Sequence, residues 1–402
     1  MEIAIFNEFF KPHITGGADI FLDKLSQFLA SQGFKVKFVT SKFDDTKKYE
    51  KNGNLEIFRV SSSPLNFKHF KQIPGFTLPY NFFNYNLKDF CKKIIAESDI
   101  VHLNNLYHLS MAPLQASKDL NKKIVLDIHD YWPMCFRKDF LYKGKEICNF
   151  NDSLHCVRCL GLAYIPGFPL LALEFMKRNS LVNTENIIVH SAAVQKRVKD
   201  YMNLDSEVIP YSFAGKILKD HERFLDKKLQ ILFMGRLQKQ KGAHLIPEVS
   251  RMLDKKKIDH EIIVLGDGEL MGKLRKEIEK ENLKIKLMGF ISDRDEIYNF
   301  LGISDILLVP SMYEPFGIVV LEAMSAGIPV VGTNAGGVEE LINENEVGLT
   351  CNPDADELAK CIIKLQKNKK LYLRFSANGL KNIKNYEERT VFKRYVKLFE
   401  QT

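Results

Sequence analysis

Apolar positions along the chain fall into two alternating rhythms. Short apolar runs, rich in β-branched residues, occur at Glu2–Phe6, Lys35–Thr40, Asp99–Leu103, Lys123–Ile128, Asn186–Ser191 and Ser206–Pro210. Between the first two, Ile20–Leu29 has apolar residues at helical spacing. Strands of this kind, separated by helices, predict a parallel sheet covered on both faces. The second half repeats the pattern with strand-like runs at Leu229–Gly235, His260–Gly266, Leu283–Gly289, Asp305–Ser311 and Ile328–Asn334. Helical spacing fills the gaps at Ala243–Leu253, Leu270–Glu281, Arg294–Leu301 and Gly317–Ala326. A polar, charged stretch at Ser212–Lys228 contains the link, and Glu387–Phe399 reads as a final amphipathic helix. The expected fold is α/β, with two doubly wound domains facing one another, 1–213 and 214–385, and a last helix in 386–402. In such sheets ligands bind beyond the carboxyl ends of the strands, here in the cleft between the halves.

The chain of 402 residues suits two domains, and its net charge of +8 is mild. That excess fits a nucleotide diphosphate, a phospholipid-linked acceptor or an anionic membrane surface; no motif calls for nucleic acid. Met1–Asn7 lacks the features of a signal peptide. The most apolar stretch, Leu160–Phe175, is short for a membrane span and is interrupted by Pro166 and Pro169. A cytoplasmic protein, peripheral at the inner face of the membrane, is expected. The segment Phe67–Tyr85 interleaves Lys68, His69 and Lys71 with seven Phe and Tyr side chains, a composition suited to the rim of a lipid-linked acceptor site.

Candidate chemistry concentrates in the second half. "MGRLQKQKG" follows a strand and places Arg236 and Lys241 where a diphosphate could be met by a planar fork and a compact charge. "LGDGEL", with Gly268, is a second strand-to-helix crossing that permits close backbone approach. In "YEPFGIVVLEAMSAG", Glu314 lies in a loop and Gly317 opens a helix whose amides can hold phosphate or sugar. Glu322 lies inside that otherwise apolar helix, and a carboxylate there needs a partner such as a ribose diol.

These segments resemble the signature of the retaining family-4 glycosyltransferases, which have two facing Rossmann-like domains, the GT-B arrangement. Glu314 and Glu322 stand at the family's Glu-x7-Glu pattern, and Gly235, Arg236, Leu237, Lys241 and Gly242 at its Gly-Arg-Leu…Lys-Gly pattern. The resemblance implies that Arg236 and Lys241 hold the donor diphosphate, Glu322 the ribose and Glu314 the transferred sugar. It places the backbone of Phe316, Gly317 and Ile318 at the sugar or phosphate. In the N-terminal, acceptor-side domain, Gly16 and Gly17 resemble the flexible glycine loop by the donor phosphates. His129, just after a strand, resembles the active-site histidine near the donor sugar, projecting into the cleft, with Asp130 able to orient it or to turn the chain. Asn104 stands where relatives often show His, between His102 and His108, and "IPYSFA" departs from the usual Ile-Pro-Asn-Gly. The resemblance extends to the last helix, which crosses back to the first domain.

Retaining transfer by front-face attack, with the leaving phosphate helping to take the proton, is what the resemblance implies. Arg236, Lys241 and the helix amides supply the charge a metal would give, so no catalytic cofactor is expected. Asp293-Arg294-Asp295 and Asp354-Ala355-Asp356 sit at helix starts and read as caps. Cys135, Cys148, Cys156 and Cys159 form a separate insertion, 135–159. Four thiols this close could hold structural zinc or an iron–sulfur cluster, or stay as free thiols. A subset of the family carries a similar insertion, which by fold analogy lies beside the acceptor cleft. The competing readings are a nucleotide-sugar 2-epimerase of the same fold and a noncatalytic nucleotide-sugar or glycan-binding subunit. An NAD dehydrogenase is disfavoured because no Gly-x-Gly-x-x-Gly loop follows the first strand.

Overall fold

A computed structural model describes residues 1–61, 84–106, 109–135, 140–143, 146–148, 153–160, 181, 184, 186–218 and 228–402. His108, residues 67–83 of the aromatic segment, 161–175 of the apolar stretch and 219–227 of the link lie outside the described residues.

The N-terminal half builds an eight-stranded sheet from β1 (Glu2–Phe6), β2 (Lys35–Ser41), β3 (Tyr49–Asn52), β4 (Leu55–Val60), β5 (Ile100–Leu103), β6 (Lys123–Ile128), β9 (Asn186–Val189) and β10 (Glu207–Val208). Its order is β10-β9-β6-β5-β1-β2-β4-β3, with every pair parallel except the hairpin β3–β4. Two short strands, β7 (Leu141–Tyr142) and β8 (Glu146–Ile147), pair with each other apart from the sheet. The C-terminal half forms a parallel sheet of β11 (Leu229–Met234), β12 (His260–Leu265), β13 (Ile285–Gly289), β14 (Ile306–Val309), β15 (Val330–Thr333) and β16 (Gly348–Cys351). Their order is β13-β12-β11-β14-β15-β16. The two-domain GT-B fold read from the sequence is the fold observed.

Both faces of each sheet are buried, which explains why the strands read as continuous apolar runs. Along β1, Ile3 and Ile5 face one core cluster while Ala4 and Phe6 face another. The cluster around Ile3 and Ile5 does not stop at the domain boundary. It continues through Phe21, Tyr211 and Phe316 to Val320 and Leu321 of the second domain, and through Val391, Phe392, Tyr395 and Phe399 of the last helix.

That last helix, Glu388–Gln401, explains the join between the halves. Val391, Phe392, Tyr395 and Phe399 recur at helical spacing and are its buried face. The Phe392 ring meets Phe21 and Phe28 of the first helix, Gly17–Ser31, at 5.4 Å each. Arg394 donates to the Val208 carbonyl of β10 at 2.6 Å. The approach is fixed by a backbone hydrogen bond from Phe213 to Tyr386 (2.6 Å), so the two chain crossings run side by side. Among the described residues no helix is long and apolar enough to cross a membrane.

Truncating the aromatic anchor tests this account of the join. Phe392→Ala is expected to lower stability by about 3–5 kcal/mol, the usual cost of emptying a buried aromatic site. Urea unfolding of the two proteins gives the comparison.

Candidate active site

The site is assembled from loops at the carboxyl ends of both sheets. In the second domain, the loop after β11 runs from Gly235 to Gly242 and is zipped to the loop after β12. Leu237 N donates to Asp267 O at 2.9 Å, and Leu270 N to Leu237 O at 3.0 Å. This packing gives Gly268 a plain structural reason: at φ +159°, a Cβ there would lie 2.7 Å from the Leu237 carbonyl oxygen. The loop after β14 carries Glu314, whose carbonyl accepts from Gly337 N at 2.9 Å.

These loops bring Lys241 and Glu314 together as an ion pair. Arg236, on the same loop as Lys241, is exposed and holds no side-chain partner among the described residues. Phe316 is buried, and Gly317 turns the chain at φ +98° into the helix Ile318–Ser325. No side chain caps that helix, which leaves its first amides available to an anion. Glu322 is buried in the same helix and receives Arg294 Nη1 at 2.8 Å. Burial raises the Glu322 carboxyl above the usual range, and the Arg294 guanidinium opposes the rise. Arg294 opens the helix Arg294–Ile303, behind the cap Asp293, whose side chain accepts from Asp295 N. Asp354 caps its own helix, Ala355–Lys367, in the same way. Asp293 is the helix cap its position predicts, and its neighbour Arg294 is the partner of Glu322.

The first domain closes over this wall. Gly16 and Gly17 stand at the start of the first helix, where Asp19 Oδ2 accepts from Thr15 N (2.9 Å), Thr15 Oγ1 (2.8 Å) and Gly16 N (3.2 Å). A Cβ on Gly17 would lie 2.2 Å from Ile318 Cδ1, so the glycine loop touches the start of the helix that follows Glu314. Ser191 Oγ donates to the Pro315 carbonyl at 2.6 Å. Glu340, in the helix Gly337–Asn345 of the second domain, accepts from the amides of Ala192 (2.8 Å) and Ala193 (3.0 Å). Those amides open the helix Ala192–Met202 of the first domain, so one domain caps a helix of the other.

His129 follows β6 as expected, but its ring does not project freely into the cleft. Its side chain has no exposed surface, and both ring nitrogens are engaged. Nε2 meets Asn104 Oδ1 at 2.9 Å, and Nδ1 meets Tyr211 Oη at 2.6 Å and His190 Nε2 at 2.8 Å. The carboxylate beside it is Asp127, not Asp130. Asp130 accepts from Trp132 N at 2.7 Å and turns the chain. Burial is the main influence on His129, and with the charges of His190 and His102 it pushes the imidazole down to about 3 against the pull of Asp127. Burial works to raise Asp127, but the charges of His129 and His190 with hydrogen bonds from His102 and His190 hold its carboxyl well below the usual range. His190, Asp127, Tyr211 and Tyr395 were missed as site residues. A signal was available: Asp127 and His102 interrupt strands that are otherwise apolar on both faces.

Among the described residues, Asp127, His129 and His190 bring three ligand atoms within 4.8 Å of one another. The separations of 2.8 and 3.0 Å about His190 Nε2 are hydrogen-bond lengths. Two ligands of a tetrahedral zinc would sit about 3.3 Å apart. The four cysteines are of intermediate exposure, and Cys159 Sγ accepts from Lys143 N at 3.1 Å. The hairpin β7–β8 that separates Cys135 from Cys148 packs against the helix Ser153–Leu160, where the Tyr142 ring meets His155 at 4.3 Å. Phe140, just before the hairpin, meets the Tyr131 ring at a tilt (5.0 Å) and lies under Arg197 (5.1 Å), whose Nε donates to Tyr313 Oη at 3.1 Å, beside Glu314. The insertion is therefore tied to the loop after β14 of the second domain as well as to its own domain.

Residues 15–211 match the model of Glycosyltransferase Family 4, and residues 216–382 match that of Glycosyl transferases group 1. The chain belongs to the two-domain glycosyltransferases. It is 26% identical over 381 residues to an uncharacterized glycosyltransferase of Methanocaldococcus jannaschii, covering 88% of this chain and 87% of the relative. Its fold is similar to sucrose-phosphate synthase from Thermosynechococcus elongatus (TM-score 0.76, 19% identity, 100% of this chain and 98% of that one). It is similar also to HepE of Anabaena, solved in complex with UDP-glucose (TM-score 0.71, 18% identity, 100% of both chains). In this glycosyltransferase, then, the glycine loop, the Lys241–Glu314 pair and the Ile318 helix start converge at one seam, while His129 lies sealed beneath it.

The contact of Gly17 with Ile318 should govern closure. Gly17→Leu is expected to keep the melting temperature within a few degrees, since the added side chain meets the partner domain and not its own core. By propping the seam it should lower transfer about a hundredfold, the scale of a misplacement near 1 Å. Small-angle scattering beside steady-state rates checks both parts.

Proposed function

We propose that this glycosyltransferase is a retaining enzyme that moves a sugar from a nucleotide diphosphate to a glycan, glycolipid or lipid-linked acceptor, without a catalytic metal. The observation that carries the reading is the convergence of Lys241, Glu314 and the uncapped amides at Ile318 on one seam, faced by Gly16 and Gly17. Arg236 and Lys241 hold the diphosphate, and the helix amides add their partial charge as the phosphate leaves. Glu322, kept in place by Arg294, takes the ribose hydroxyls. Glu314 takes the hydroxyls of the transferred sugar. The acceptor hydroxyl attacks the face that the diphosphate leaves, and the departing phosphate oxygen takes its proton. His129 acts by holding the geometry of this floor, since its own nitrogens are engaged below the surface. The mild positive charge suits an anionic surface, and such enzymes serve polysaccharide, lipopolysaccharide or exopolysaccharide assembly at the inner face of a membrane. UDP-glucose is the first donor to test, because it is the donor bound to HepE.

Replacing Glu322 separates donor grip from fold. Glu322→Ala should weaken nucleoside-diphosphate binding about 10- to 100-fold, the range for losing a hydrogen bond to a charged group. Calorimetric titration of folded protein decides it, and unchanged affinity would remove the ribose assignment.

His129→Ala should act on the rate instead. We expect kcat to fall about a hundredfold with nucleotide affinity nearly unchanged, as when an arrangement matters mainly in the transition state. Transfer should persist in EDTA, and product anomers seen by NMR should keep the donor's configuration. Donor converted to an epimer without acceptor would instead indicate the 2-epimerase.

A further inference from the structure

Asp127 lies on β6 with no exposed surface. Its Oδ2 accepts from the Tyr395 hydroxyl at 2.7 Å, and Tyr395 belongs to the last helix, 268 residues away in sequence. His102 Nε2 stands 3.4 Å from the same oxygen. Oδ1 faces His190 Nε2 at 3.0 Å. A carboxylate buried this way requires a compensating positive charge.

Donor accounting locates that charge. The Asn104 side-chain amide donates through Nδ2 to the Phe6 carbonyl at 3.1 Å, so its Oδ1 is the acceptor facing His129. His129 Nε2 must therefore carry a proton. With His129 neutral, its Nδ1 is a bare acceptor, and the Tyr211 hydroxyl donates to it from 2.6 Å. On the neighbouring ring, His190 Nδ1 meets the Ile209 carbonyl at 2.8 Å, and a carbonyl can only accept. That nitrogen also carries a proton. His190 Nε2 is left facing two acceptors, Asp127 Oδ1 at 3.0 Å and His129 Nδ1 at 2.8 Å. Bare, its lone pair would face the Asp127 carboxylate in a sealed space with no proton between them. A second proton on His190 removes the conflict and supplies the charge that Asp127 needs.

We propose that His190 is a buried imidazolium paired with Asp127, and that His190 and Tyr395 are positioning residues for sugar transfer. Tyr395 fixes the carboxylate, the carboxylate fixes the cation, and the cation faces the bare Nδ1 of His129. The chain ends at Tyr211, whose ring lies over His190 at 3.9 Å and whose edge meets Phe316 at 5.2 Å. Phe316 precedes Gly317 and the amides at Ile318, so the last helix is coupled through buried side chains to the loop that faces the donor. This inference rests on the transferase reading only for its effect on rate. The proton arrangement stands independently of it.

The test is nitrogen-15 NMR of the full-length protein labelled on histidine, with His190→Gln used for assignment. We expect His190 to show two protonated ring nitrogens at neutral pH, and His129 to show protonated Nε2 with bare Nδ1. Tyr395→Phe removes one hydroxyl and keeps the ring that packs on Phe21 and Phe399. It should shift the His190 signals and lower kcat about tenfold with KM for the donor within about twofold, the effect of one hydrogen bond felt in the transition state. A singly protonated His190 in the wild type overturns the proposal, and so does a folded Tyr395→Phe enzyme with the wild-type rate and spectrum. The wild-type spectrum decides the proton assignment even if the variant does not fold. Absence of transfer with every donor would count against the proposed reaction and leave the histidine spectrum to decide this point.

Discussion

A carboxylate sealed inside an apolar sheet is the constraint around which the N-terminal domain is arranged. Asp127 is wholly buried, and removing an ionised carboxylate from water is costly unless partners surround it. Those partners come from separate elements: His102 from β5, His190 from the end of β9, and Tyr395 from the last helix. Each must arrive at a defined depth for the pair to close. The same cluster thus fixes the register of three neighbouring strands and the docking of the last helix. It also sets the floor of the seam, because His129 and Tyr211 continue the network toward Phe316.

The seam itself is held by polar contacts of a different kind. Glu340 satisfies two orphan amides at the start of the helix Ala192–Met202, and Ser191 reaches the Pro315 carbonyl. These are hydrogen bonds at helix ends, individually modest and readily exchanged with water. They contrast with the continuous apolar cluster beneath, which includes Phe21, Phe316 and Phe392. The last helix anchors the halves near the chain crossing, while the polar seam can open and reform. An enzyme that must admit two substrates between its domains needs that division between a durable join and an exchangeable edge.

The fold was legible because burial on both faces writes a simple pattern. β1 and β6 occupy the residues their apolar runs predict, and other strands differ from the reading by a few residues at their ends. The hairpin β3–β4 escaped it, since Lys51, Glu56 and Arg59 dilute the apolar signal at the sheet edge. Loop residues carrying charge were also legible: Lys241 and Glu314 were named from separate segments, and they meet. The sealed network was not. Asp127, His190 and Tyr395 lie 63 and 205 positions apart in succession (190 − 127 and 395 − 190), and only the folded chain brings them together. Asp130 was the plausible carboxylate for His129 by adjacency. In a strand, however, residues two apart share a face, so the partner of a histidine just past the strand end is Asp127 rather than its immediate successor.

These differences separate two kinds of residue that a motif treats alike. Arg236 sits on a loop with an exposed side chain, while Lys241, on the same loop, is only partly exposed and held by Glu314. Groups that fix geometry must not reorganise during a reaction, so they are buried among fixed partners. His129 belongs with the second kind. Its position after a strand resembles that of a cleft residue, yet its surroundings give it two nitrogens already engaged and no surface. A side chain in that state holds dipoles and rings still, above all Tyr211, whose edge meets Phe316. The proposed reaction thus draws its charges from the second domain and its rigid floor from the first.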